Sequence, residues 1–193
     1  MKEPLARIRD AVLEFLRNRD DAALFEAQAV NAYVDEPRMT QDVDVMSNRA
    51  ADLAAELREY LNEKFHIAVR VRKVAEGKGF RIFQLRQPKN RHLVDVRQID
   101  AWPPVQTVAD VRVLAPAELI ALKTMSYAHR KGQPKGATDL RDLMVLLLAF
   151  PELKSESGAV MERLVANQAE QAAIDAWLQL VSEKIESDET EDW

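Results

Sequence analysis

The chain has 193 residues, 47% of them apolar and 31% charged, with 5 glycines, 8 prolines and no cysteine. That length suits one domain, or one hydrophobic core with a helical extension. The longest apolar run, Leu143 to Phe150, is too short to cross a bilayer. The missing thiols exclude a disulfide scaffold, thiolate-bound zinc and a cysteine nucleophile. The opening MKEPLARIRD has no apolar secretory core, so a cytoplasmic protein with no membrane partner is expected.

The net charge of −5 is unevenly spread. From Ser182 to Trp193 six acids face one base, so the tail carries −5 and residues 1–181 are neutral. Within them, Lys64 to Arg97 holds ten bases against two acids, Glu76 and Asp95. Such a stretch suits a phosphate-bearing partner, or simply a solvated strand face.

In chain order, Pro4 opens a helix whose apolar stripe is Leu5, Ile8, Val12, Phe15 and Leu16. Ala22 to Phe25 is a short buried strand, Ala27 to Val34 a helix, and Asp35-Glu36-Pro37 breaks it. Asp42 to Met46 alternates as a strand does. Arg49 to Phe65 is helical, with Leu53, Leu57, Tyr60, Leu61 and Phe65 on one face. Ile67, Val69 and Val71 mark a half-buried strand. Phe80 with Ile82, and Leu93 to Val96, give two more, joined by a turn at Gln87-Pro88-Lys89-Asn90. Trp102-Pro103-Pro104 interrupts the sheet. Pro116 to Arg130 is a helix, Lys131 to Ala137 a loop, and Thr138 caps the next helix. Two more helices fill Ser157 to Glu186. The chain is thus α/β at first and helical after about residue 112.

The chemistry concentrates in Arg38-Met39-Thr40-Gln41-Asp42-Val43-Asp44-Val45. Residues two apart on a strand share a face, so Asp42 and Asp44 present their carboxylates together. Hard oxygen donors of this kind suit Mg²⁺, although solvated carboxylates on an amphipathic strand would give the same pattern. Asp95 lies in a second apolar strand, Val94-Asp95-Val96. If that strand neighbours the first, three acids converge in the arrangement that two-metal phosphoryl transfer needs. Arg38 shares their face and either neutralises the acids or touches a phosphate. Thr40 shares that face as well, or is an ordinary β-branched strand residue. His66, His92 and His129 lack metal-ligand spacing and are expected to be surface or capping residues.

The stretch Ala23 to Val45, ALFEAQAVNAYVDEPRMTQDVDV, resembles the opening of the nucleotidyltransferase superfamily, and within it the AbiEii-like toxin branch. Those proteins show a strand, a Gly-Gly or Gly-Ser turn, a helix with Ala-Val-Asn-Ala, and then Pro-Arg-x-Thr-x-Asp-h-Asp. They also carry a helix with Leu-x-x-x-Lys and a later one opening Asp-Leu-x-Asp-Leu. Here these are Leu119 to Lys123 and Asp139 to Leu143. The resemblance spans roughly residues 20 to 148. It implies Asp42 and Asp44 as the metal-binding pair and Asp95 as the third acid. Lys123 either edges an apolar stripe with its head in water or reaches the β- and γ-phosphates of a nucleotide. Asp142 either holds Lys123 in place or pairs with Arg130.

One departure bears on activity. Where the family has its glycine pair, this chain has Glu26-Ala27, although that turn normally lets backbone N–H groups approach a triphosphate. Glu26 is either a fourth metal ligand or turns away from the site.

The fold implied is a nucleotidyltransferase-like α/β core, a small mixed sheet with flanking helices, over residues 1–112. A helical part (113–186) and an acidic tail expected to be disordered (187–193) follow. The activity implied is Mg²⁺-dependent transfer of NMP from NTP, with two ions, to a hydroxyl of RNA (a tRNA 3′ end, for example) or of a protein. An antitoxin partner is implied with it. A non-catalytic module of the same fold that binds a protein or RNA is the second expectation. A metal-dependent nuclease is the third, and the Pro-Arg-x-Thr lead-in and the Lys123 helix argue against it.

Overall fold

A computed structural model of the chain describes residues 4–35 and 37–187; residues 188–193, most of the acidic tail, lie outside the described part. The chain forms two compact units. One is built from residues up to Ala32 and from Arg38 to Leu114, the other from Tyr33–Pro37 and the residues after Leu114.

The first unit is a seven-stranded mixed sheet with three helices. In chain order it runs α1 (Leu5–Leu16), β1 (Ala23–Leu24), α2 (Glu26–Asn31), β2 (Val43–Ser47) and α3 (Ala50–Phe65), then β3 (Val69–Val74), β4 (Gly79–Gln84), β5 (Arg91–Gln98), β6 (Val105–Val108) and β7 (Val111–Leu114). The strand order is β3-β4-β5-β2-β1-β7-β6. β2 and β5 pair in parallel, as do β1 and β7; the other neighbours are antiparallel.

Two kinds of row cross this sheet. Val71, Ile82, Val94 and Val43 are successive partners, as are Phe80, Val96 and Val45. α3 contacts these four strands and buries Leu53, Leu57 and Leu61, so this is the core face. The intervening row is Arg72, Arg81, Asp95 and Asp44. Since partners across a ladder share a face, these four charges lie on the side opposite α3.

The strands β6 and β7 were not marked by the sequence. They form a hairpin whose turn residues, Ala109 and Asp110, both have positive φ (48° and 66°). That geometry normally selects Asn-Gly or Asp-Gly, and Ala-Asp does not advertise it. α2 is shorter than expected, ending at Asn31 rather than Val34.

The second unit packs α4 (Pro116–Arg130), α5 (Pro134–Ala149), α6 (Ala159–Ala166) and α7 (Gln171–Ser182), with a 3₁₀ turn at Pro151–Leu153. α5 starts at Pro134, so the expected Thr138 cap is wrong: Thr138 lies inside the helix, and its hydroxyl donates to the Pro134 carbonyl. The connection from α4 is only three residues long, because Gly136 lets α5 ride against the end of α4. A Cβ at Gly136 would sit 2.2 Å from the Arg130 carbonyl oxygen. Trp177 is fully buried and donates its indole N–H to the Ser155 carbonyl at 3.1 Å. Glu118, also buried, accepts from Arg163 at 2.5 Å and Asn167 at 3.1 Å, tying α4 to α6.

Lys123 is at the centre of a buried charge network. Its Nζ lies 3.2 Å from Asp139 Oδ1 and 3.1 Å from Asp142 Oδ2, and all three side chains are at most 4% exposed. Arg130 reaches the other Asp139 oxygen at 3.1 Å. The expectation of a lysine head in water is therefore wrong, and of the two roles left open for Asp142, holding Lys123 is the one observed. Removing one partner of such a pair strands a buried charge. Lys123→Met is accordingly expected to destabilise the protein by about 3–5 kcal/mol, read as the shift of the urea midpoint. Lys123→Met with Asp142→Leu should recover part of that loss.

A second set of ion pairs fixes the entry to β1. Arg19 grips both Asp21 oxygens at 2.8 Å and reaches Glu56 on α3 at 2.7 Å. Arg49 adds a contact to Asp21 at 3.2 Å. Hydrogen bonding from Arg19, together with the charges of Arg19 and Arg49, holds the Asp21 carboxyl below its ordinary range despite partial burial. Its stabilisation is present above the unfolded-state pKa of about 4 and is lost as pH falls through the lower folded-state value. Asp21→Asn should therefore cost about 1–2 kcal/mol at pH 7. Denaturant melts should show that the difference from the parent chain shrinks below pH 4.

Candidate metal centre and phosphate turn

β2 and β5 run in parallel with Asp44 directly opposite Asp95. Asp42 precedes Asp44 by two residues, at the start of β2. The structure thus brings Asp42, Asp44 and Asp95 to one place on the face of the sheet opposite α3. Like charges placed opposite each other on a ladder repel, and the surroundings show how this is met.

Asp95 accepts from Arg81 Nε at 2.7 Å. His92 Nδ1 lies 3.0 Å from Asp42 Oδ2, and its Nε2 lies 3.2 Å from Asp95 Oδ1. Burial works against a charged His92, but Asp42 and Asp95 outweigh it and raise its pKa to about 9. Burial likewise tends to raise the Asp95 carboxyl, and His92 with Arg81 overcomes this and holds it below its ordinary range. Among the described residues Asp44 makes no ion pair of this kind, and Arg97 acts on it only through its charge. Burial, and then the charges of Asp42, Glu26 and Asp95, push it up to about 7, with Arg97 opposing.

The expectation for His92 fails. It is neither a surface nor a capping residue but the centre of the acidic cluster. In an unbroken strand His92 and Asp95, three apart, would point to opposite faces. The ladder between β4 and β5 pairs Ile82 with Val94 but Phe83 with His92, so Leu93 is an extra residue and β5 is bulged there. The bulge turns His92 onto the face of Asp95. A signal was present: Leu93 and Val94 are adjacent apolar residues, both buried, and they break the alternation of the strand.

The lead-in to β2 is held by α2. Asn31 donates to the Arg38 carbonyl at 2.8 Å and accepts from the Arg38 N–H at 3.0 Å. Gln28 donates to the Thr40 hydroxyl, with both side chains buried. Thr40 is therefore engaged in fixing the loop that delivers Asp42, while Arg38 is half-buried beside it. Lys123 and Asp142 lie in the helical unit, within the ion pairs described above.

Glu26 opens α2 with φ of +56°, the left-handed region that glycine enters freely and other residues enter at about 1–2 kcal/mol. The Phe25 N–H donates to the Asp44 carbonyl at 3.1 Å, which ties this turn to β2. The chain keeps a glycine-type backbone here while carrying a glutamate.

The donor set fits a divalent cation. It offers three carboxylates, one of them pushed towards protonation by burial and by the acids around it. It also holds a buried imidazole nitrogen, His92 Nε2, with no aligned hydrogen-bond partner among the described residues. Asp42, His92 and Asp95 can each direct one ligand atom to a common point, the atoms lying within 4.8 Å of one another.

Comparison with solved structures bears on the fold. By fold, the chain is similar to the Megavirus polyadenylate synthase, with a TM-score of 0.61 at 12% identity, covering 76% of this chain and 32% of that one; it spans about a third of that enzyme. It is also similar to a putative nucleotidyltransferase from H. pylori, with a TM-score of 0.56 at 13% identity and 94% and 93% of the two chains covered. An antigenic nucleotidyltransferase-like protein from Paracoccidioides brasiliensis gives 0.51 at 19%, covering 91% and 92%. No curated protein matches the chain in sequence. No helix among the described residues is long and apolar enough to cross a membrane. The family described as nucleotidyl transferase AbiEii toxin, type IV toxin–antitoxin system, matches residues 28–193, and with its paired aspartates on a nucleotidyltransferase-like sheet the chain belongs to that family.

Proposed function

We propose that the protein transfers a nucleoside monophosphate from an NTP to a hydroxyl of an RNA or protein acceptor in the cytoplasm, with Mg²⁺, as the toxin of a toxin–antitoxin pair. The observation that carries this reading is the register of β2 on β5, which sets Asp44 against Asp95 with Asp42 beside them. Asp42, Asp44 and Asp95 would hold the ions. When bound, these neutralise triphosphate charge and make a hydroxyl a better nucleophile. The hydroxyl oxygen attacks the α-phosphorus, pyrophosphate leaves, and the hydroxyl proton passes to solvent or a carboxylate. Arg81 and His92 keep Asp95 ionised, which suits a ligand better than a proton acceptor. Arg38, half-buried at the lead-in to β2, would meet a phosphate there, while Thr40 holds that lead-in from within through Gln28. The acceptor's backbone would meet the basic strands β3 and β4, whose Arg72 and Arg81 share a row with the acids.

Glu26 favours a second reading, a module of the same fold that has lost NTP binding and acts by holding a protein or RNA partner. Its carboxylate stands at the turn where the family's glycines admit phosphates, close enough to Asp44 to raise that carboxyl.

Calorimetric titration of each NTP, with and without Mg²⁺, separates the two. The transferase reading expects one NTP to bind only with Mg²⁺ and Asp44→Asn to lose it by tenfold or more. The second reading expects no binding by the folded protein. Glu26→Gly relieves the backbone strain and should add about 1 kcal/mol of stability. Under the second reading it should also restore NTP binding.

A further inference from the structure

The cluster opposite α3 contains a donor that oxygen-only metal binding does not use. His92 sits between two carboxylates 3.0 Å and 3.2 Å away. The second contact is short but lacks hydrogen-bond alignment, and Nε2 is closed off from solvent with no aligned hydrogen-bond partner among the described residues. A buried nitrogen without an aligned partner is costly unless something else satisfies it. The ring is also held: Phe83, its partner across the ladder, packs against it with centroids 5.3 Å apart. The Leu93 bulge, which disrupts the β4–β5 ladder, is what places this nitrogen beside Asp95.

We propose that Asp42, His92 and Asp95 together ligate one divalent cation through two carboxylate oxygens and one imidazole nitrogen, and that this position selects Mn²⁺ over Mg²⁺. Mg²⁺ takes carboxylate, water and phosphate oxygens in strict octahedral geometry, whereas Mn²⁺, which shares that preference for oxygen, is a transition ion that accepts an imidazole nitrogen more readily. Three protein ligands leave positions open for water or a phosphate oxygen, as a catalytic ion requires. Asp44 stays on the all-oxygen side of the site. This rests on the reading that these carboxylates bind divalent ions, and it assigns which ion goes to which side.

The test uses the full chain and Mn²⁺ without nucleotide. Electron paramagnetic resonance counts bound ions, and pulsed measurements detect nitrogen next to the metal. One bound Mn²⁺ with ¹⁴N modulation is expected, displaced by Mg²⁺ only in large excess. His92→Ala should abolish the modulation and weaken Mn²⁺ binding tenfold or more, with a smaller change in Mg²⁺ affinity. Bound Mn²⁺ without nitrogen modulation in the parent chain would overturn the assignment, whatever the variant does. So would a folded parent that binds no Mn²⁺, or a folded His92→Ala that binds it equally well. If nitrogen-coupled Mn²⁺ is found but no NTP binds, the transferase reading falls and His92 remains a ligand.

Discussion

The pairing of β2 with β5 is the constraint from which the rest of the candidate site follows. Parallel register sets Asp44 opposite Asp95, and nothing in a β-ladder favours two carboxylates there. The sheet bears this in three ways. Arg81 comes from the next strand to bind Asp95, the β5 bulge delivers His92 to the space between Asp42 and Asp95, and Asp44 is left to be pushed towards its neutral form. The first offsets the repulsion, the second breaks the regular ladder, and the third leaves a partly buried carboxyl perturbed. A fold that only needed a stable sheet would place apolar or uncharged residues at these register points, as the neighbouring Val43–Val94 and Val45–Val96 pairs show. Local rules broken together at one spot mark a site shaped for a ligand.

Glu26 belongs to the same logic, seen through the backbone. Its φ of +56° is the conformation a glycine turn uses to expose backbone N–H groups, and the Phe25 N–H to Asp44 carbonyl bond locks that turn to the acidic strand. The turn geometry therefore does not depend on glycine; position in the fold imposes it. What changes with glutamate is the electrostatic field, since a fourth acid now adds to the charge that acts on Asp44. A cation-rich ligand gains from that field, and an uncompensated triphosphate loses.

Much of this was legible in the chain because it rests on periodicity. The two-residue spacing of Asp42 and Asp44, the apolar flanks of Asp95, the α3 stripe and the proline-opened α4 all follow from local pattern. What stayed hidden depends on tertiary register or on unusual backbone. The β6–β7 hairpin turns through Ala109-Asp110, which carries no glycine signal. His92 reaches Asp95 only because of an inserted residue. Thr138 looked like a cap because its chemistry suits one, but Pro134 and Gly136 allow the helix to begin a turn earlier. The Lys123 network was half visible. The (i, i+3) spacing of Asp139 and Asp142 put two carboxylates on one helical face, and only packing could show that a lysine from α4 fills the space between them.

The same distinction between spacing and packing applies to the basic run from Lys64 to Arg97. By composition it is a patch of +8; in the fold it divides. Arg81 is bound to Asp95, Lys64 to Glu14, and Arg97 lies 4.4 Å from the centre of the Phe25 ring. Arg70, Arg72 and Lys73 remain exposed along β3, the edge of the sheet. Charges on an edge strand discourage pairing with another chain, which explains their number without any ligand. It does not explain their order. Arg72 and Arg81 lie in one row that ends at Asp95 and Asp44, so positive charge gives way to negative along a single line across four strands. An edge built only to resist aggregation has no need of that line. A polyanion laid along it would meet arginines first and the paired acids last.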